Sequence, residues 1–167
     1  MADAINWGDW ERRVAELWAA FDTVDVDAFL ARIDALAAEL PAGHAVGLFE
    51  RASAQDSTGN EAKAERLYRQ ALESGLQGIR RRRATIQLAS TLRNLGRADE
   101  GVALLNAELT QPADELDDAV VAFLALCLVD TGQARQAAAL ALGSLSRHLP
   151  RYNRSLKRYA EAVRTDA

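Results

Sequence analysis

The sequence predicts an all-α fold of about nine helices, joined by short turns and organised as stacked helix-turn-helix repeats. Three observations carry this. Ala, Leu, Glu and Arg dominate the 167 residues, and they are strong helix formers. Apolar residues recur at helical spacing, and no strict apolar/polar alternation runs far enough for a strand. Three turn segments align on Gly59, Gly96 and Gly132, at spacings of 37 and 36 residues.

The first helix, about Gly8 to Phe21, sets Trp10, Val14, Leu17, Trp18 and Phe21 on one face. Asp25 or Asp27 caps a second, which buries Val26, Phe29, Leu30, Ile33, Leu36, Ala37 and Leu40 before Pro41 and Gly43 end it. A third runs from about Ala42 to Gln55. In the turn after it, Thr58 and Glu61 stand at capping-box spacing for a fourth, about Asn60 to Ser74. Gly75 and Gly78 separate that helix from a fifth, Ile79 to Leu95, and Gly96 separates the fifth from a sixth, Arg97 to Thr110. Asp114 to Asp118 load the first turn of a seventh with carboxylates, where the helix dipole favours them. Gly132 ends the seventh and an eighth covers Gln133 to about His148. Pro150 then precedes a final helix, Tyr152 to Arg164. Helices joined by such short turns pack antiparallel to their neighbours.

Aligned on the three glycines, a small residue lies seven positions before each: Ala52, Ala89 and Ala125. Another lies five positions after: Ala64, Gly101 and Ala137. Four positions further on stand Tyr68, Leu105 and Ala141. Two antiparallel helices approach closely only where small side chains occupy their crossing point, and glycine permits the turn between them. One hairpin cannot cover its own apolar face, so hairpins stack.

This pattern resembles the tetratricopeptide repeat, over Leu48 to Leu72, Thr85 to Leu109 and Val121 to Ser144. Ala64, Tyr68 and Ala71 match best, standing where the family has small, aromatic and small residues. Arg51, Gln55 and Glu108 depart from it, and no repeat ends in the family's proline. The resemblance implies a right-handed α-α superhelix and a single domain. Residues 1–43 then form an N-terminal helix pair, 44–149 three repeats, and 150–167 a capping helix. It also implies a concave groove lined by the first helix of each pair, which binds a peptide or helix of another protein. Carried over by position, the groove residues are Phe49, Ser53, Asp56, Arg83, Ile86, Gln87, Ser90, Arg93 and Asn94, continued by Ala119, Ala122, Leu126 and Val129.

Charge alternates in blocks: −7 over residues 1–60, +6 over 61–97, −8 over 98–134 and +5 over 135–167. The total of −4 favours neither nucleic acid nor membrane. The cluster Arg80, Arg81, Arg82 and Arg83 is an alternative site for an acidic partner or nucleic acid. No aromatic residues interleave with it, so nucleic acid is the less favoured partner; at least one of the four must pair internally, and nearby acidic blocks, particularly Asp114 to Asp118, are candidate internal or intersubunit mates. From Val120 to Val129 the seventh helix is apolar all round and must be covered on every side. Either the final helix folds back over it, with Tyr152, Leu156 and Tyr159 as a capping stripe, or a second subunit covers it; the favoured expectation is a homodimer through Val120, Phe123, Leu126 and Val129 together with Tyr152, Leu156 and Tyr159.

Catalysis is not expected. His44 and His148 lie far apart beside helix ends, where they would meet terminal carbonyls, and the lone Cys127 sits in an apolar run. No metal-ligand spacing, phosphate loop or nucleophile elbow appears, so no cofactor is expected. Without a basic, apolar leader or a membrane-length apolar stretch, the expected location is the cytoplasm.

Overall fold

The structure, a computed structural model, describes residues 5–165; Met1 to Ala4, where the reading for a leader begins, fall outside them. Every regular element among the described residues is helical. The helices are α1 (Trp7–Ala19), α2 (Val26–Ala38), α3 (Ala45–Ser57), α4 (Glu61–Glu73), α5 (Gly78–Asn94), α6 (Ala98–Glu108), α7 (Asp117–Asp130), α8 (Ala134–Ser146) and α9 (Asn153–Thr165). A short 3-10 turn, Phe21–Thr23, follows α1. The chain divides into two compact units, residues 1–84 and 85–167, with the division inside α5.

The repeat turns share one backbone solution. Gly59, Gly96 and Gly132 all have φ between 77° and 81°, a region closed to most L side chains. At each turn the glycine N–H returns to the carbonyl three residues back. The next N–H (Asn60, Arg97, Gln133) reaches five back, to Gln55, Leu92 and Leu128, at 2.7–2.8 Å. This paired closure satisfies the last carbonyls of α3, α5 and α7 and reverses the chain.

In the first unit, the indole N–H of Trp10 donates to the carbonyl of Leu36 at 2.9 Å and pins α1 to the end of α2. Around it pack Val14, Leu17, Phe29, Ile33, Leu40 and Ala54. Trp18 and Phe21 meet Phe29 edge-on at 5.1 and 4.9 Å between ring centroids, contacts worth about 1 kcal/mol each beyond burial. Asp25 caps α2 by accepting from the N–H groups of Asp27 and Ala28. Gly47 lets α3 close on α2, since a Cβ there would stand 3.4 Å from the Ala37 carbonyl.

Two local expectations fail in this unit. Thr58 does not cap α4: its hydroxyl donates backwards to the carbonyls of Ala54 and Gln55, closing α3 instead. α3 starts at Ala45 rather than Ala42, because Pro41 to Gly43 form a turn and His44 caps the helix, its Nδ1 accepting from Val46 N–H. His44 therefore serves a helix start, not a helix end.

The second unit packs differently. Ile86, Ala89, Leu105, Val120, Leu124 and Leu128 form its core with Cys127. Gly101 of α6 sits where a Cβ would be 2.8 Å from the Cys127 sulfur and 3.0 Å from the Ala89 carbonyl. Three helices thus converge on one missing side chain. The small residues aligned in the sequence lie at such crossings: Ala52, Ala64, Ala89 and Ala137 are buried, while Ala141 in the loosest repeat is exposed.

α7 is not covered on every side. Its inner face is buried, but Leu126 remains 44% and Val129 52% exposed. α9 packs on α8 through Leu156, Ala160 and Val163, which follow helical spacing; Tyr152 and Tyr159 stay outside it.

Candidate partner-binding site

In the first unit four of the proposed groove residues do come together. Phe49 lies beside Tyr68, 6.4 Å between ring centroids, and the guanidinium of Arg83 sits 5.2 Å over the Phe49 ring. The Tyr68 hydroxyl reaches Asp56 Oδ2 at 3.3 Å and Ser53 Oγ at 3.5 Å. Burial, with the Asp56 carboxylate next in importance, pushes the Tyr68 phenol well above its ordinary pKa. Phe49 and Ser53 are nevertheless buried. They form the floor under Arg83 and Asp56 and offer a partner little surface, because the aromatic pair of α3 and α4 closes the hairpin from inside.

The arginine cluster is absorbed in a similar way. Arg80 pairs with Glu11 at 2.5 Å and Glu50 at 3.5 Å. Arg82 is buried, and Arg83 lies on Phe49. The mates found for Arg80 are therefore acids of the first unit. Glu50 is the residue that sequence reasoning missed here. It is buried and accepts from the Trp18 indole at 2.9 Å; burial raises its pKa, against the opposing pull of Trp18, Arg80 and Arg83. A carboxylate between Phe49 and Arg51 was a visible signal.

In the second unit, Ile86 is a core residue packed with Leu105, Val120 and Leu124, not an exposed apolar spot. Ile86 is buried as well as Leu88 and Leu92. Gln87, Ser90 and Arg93 are half-buried and Asn94 is exposed. Arg93 Nε pairs with Asp130 Oδ2 at 2.6 Å, tying the end of α5 to the end of α7. Next to Asp130 on α7 stands Val129, with Leu126 one turn before it.

The suggested self-association set does not form one surface. Val120 is in the core, Phe123 packs against it, and Leu156 is half-buried on α9, which packs on α8. Leu126 and Val129 are exposed on α7; Tyr159 is 58% exposed on α9 and Tyr152, just before that helix, 77%.

The acidic start of α7 has a second role that spacing did not reveal. Asp118 accepts from Ser144 and Arg147 through Oδ1 and meets His148 Nε2 at 2.8 Å through Oδ2. Ser144 and His148 first, then Arg147, hold its carboxyl down to about 2. His148 thus bonds a carboxylate rather than helix-terminal carbonyls.

Among the described residues no group of three or more His, Cys, Asp or Glu could hold a metal ion, and no helix is long and apolar enough to cross a membrane.

Helix pairs closed by glycine turns of one backbone form define the class: a helical-repeat scaffold. A family model described as tetratrico peptide repeat matches residues 45–163. The chain belongs to the tetratricopeptide repeat family, as its repeat pattern implies, and α1 and α2 precede the matched region. Repeats of this family are in general non-catalytic scaffolds for protein–protein interaction. No curated protein and no solved structure matches the chain.

Proposed function

We propose that the chain is a protein-interaction adaptor whose second unit holds an amphipathic segment of another protein along α7. The observation that carries this is the pair Leu126 and Val129, three residues apart and 44% and 52% exposed, on a helix whose other face is core. The Arg93–Asp130 pair at 2.6 Å borders them with one charge of each sign. An apolar strip beside a fixed ion pair suits a partner helix with an apolar face and a polar edge. Ser90 and Asn94 on α5 add polar groups for orientation. We also place self-association within this reading.

Affinity capture with the full chain, compared with Leu126→Asp plus Val129→Asp, tests the adaptor. A partner retained by the wild type is expected to fall about tenfold or more with the variant, since two apolar anchors are lost. If the same proteins are captured equally by both, the α7 strip is not the binding site. The Arg80 to Arg83 alternative gains nothing from the geometry, because Arg80 and Arg82 are engaged or buried within the fold.

A further inference from the structure

Self-association needs a surface, and the set suggested by the sequence is scattered. Another surface of the second unit has the right symmetry. Two crevices lie side by side there. One, of about 230 Å³, runs between α7, α8 and α9; Arg147, Lys157 and Arg164 surround it against a single acid, Glu161, with Gly143 and Ala160 among its lining. The other, of about 500 Å³, is lined by Leu109, Asp114, Asp117 and Asp118. Val121 and Arg147 line both, so the crevices share a wall. That wall is clamped, because Asp118 of α7 holds Ser144, Arg147 and His148 at the end of α8.

The surface is thus basic on one side of a fixed ridge and acidic on the other. Sequence blocks say the same: residues 98–134 hold eight acids and no base, and 135–167 seven bases and two acids. In a two-fold contact, residue i of one copy meets residue j of the other and j meets i. A patch of one sign would repel its own copy. A patch with opposite halves about the axis matches itself twice. Leu109, 43% exposed at the acidic crevice, and half-buried Val121 supply apolar area between the charges.

We infer that the chain forms a two-fold homodimer in which Lys157 and Arg164 of each copy face Asp114 and Asp117 of the other, with Val121 and Arg147 near the axis. This rests on the self-association part of the reading above and moves it away from Leu126 and Val129.

Light scattering on the full chain tests it, with circular dichroism as the check on folding. The wild type is expected to show twice its 18.2 kDa mass at micromolar concentration. Its dimer should weaken about tenfold or more between low and high salt, as charge-matched contacts do. Lys157→Glu with Arg164→Glu makes both halves acidic, and Asp114→Lys with Asp117→Lys makes both basic. Each variant alone should be monomeric, and an equimolar mixture of the two should be dimeric again. If the lysines disturb α7, Asp114→Asn with Asp117→Asn keeps the turn-forming side chains and removes the charge; it should still weaken the dimer. A monomeric wild type overturns self-association and this surface together. Variants that remain dimeric alone, or a mixture that remains monomeric, overturn the surface. So does a dimer lost with Leu126→Asp plus Val129→Asp while surviving the charge reversals, an outcome that keeps self-association and relocates it.

Discussion

The two units solve one packing problem by opposite means. The first fills its hairpins with bulk: Trp10, Trp18, Phe21 and Phe29 cluster, Phe49 pairs with Tyr68, and a buried carboxylate, Glu50, ties Trp18 to Arg80. The second removes bulk: Ala89, Gly101 and Cys127 let three helices converge. Bulk brings polar atoms into the interior, since an indole and a phenol need partners there. The second unit also buries polar side chains, Thr91 and Glu108 among them, but its close approach leaves no room for an added atom at Gly101. The same repeat therefore fails differently in its two halves.

The largest effect is expected from Glu50→Ala. It leaves the Trp18 N–H and part of the Arg80 guanidinium without their acceptor, a loss of about 2–3 kcal/mol, read as a lower urea midpoint with unchanged slope. In the second unit, Gly101→Ala sets helix propensity, about 1 kcal/mol favourable, against overpacking of about 1–3 kcal/mol. With a backbone carbonyl 3.0 Å away, overpacking wins, and a net loss of up to about 2 kcal/mol is expected. Gly143→Ala is the control: a Cβ there meets nothing within 4 Å, so that variant should gain up to about 1 kcal/mol. A stabilised Gly101→Ala protein would break the comparison.

The smallest effect is a difference in pH response. Glu50 holds its proton more tightly folded than unfolded, so its contribution to stability falls as pH rises above the ordinary value of 4.5 towards its higher native value. Asp118 is the reverse. Its carboxyl titrates at about 2 in the fold against 3.8 ordinarily, so its contribution is lost as pH falls through that window. Denaturation followed over acid pH should flatten at the upper end with Glu50→Gln and at the lower end with Asp118→Asn. The exposed Asp118 cluster warrants only a small amplitude.

The helices, the three turns and the small residues at the crossings were legible because each leaves a local mark: period, glycine, missing volume. Gly101 could be named before its neighbours were known, although that one of them is Cys127 could not. The groove was less legible. A helix with apolar residues on two sides, such as α5 with Ile86 and Leu88, does not announce that both are covered. Phe49 was misplaced for the same reason, its ring being sealed by Tyr68 and Arg83 from other helices. Polar contacts were the least legible. Thr58 and His44 each had a plausible partner on either side in the chain, and only the folded backbone chose between them.

The glycine turns carry a consequence of their own. At Gly59, Gly96 and Gly132 the backbone takes a hand that belongs to mirror-image residues, so what is transmitted from repeat to repeat there is an achiral site rather than a side-chain message. The third repeat has let Ala141 reach the surface and still turns its chain like the other two. Drift in side chains and constancy of the turn are separable, and a lineage of such repeats can lose its written pattern long before it loses its shape.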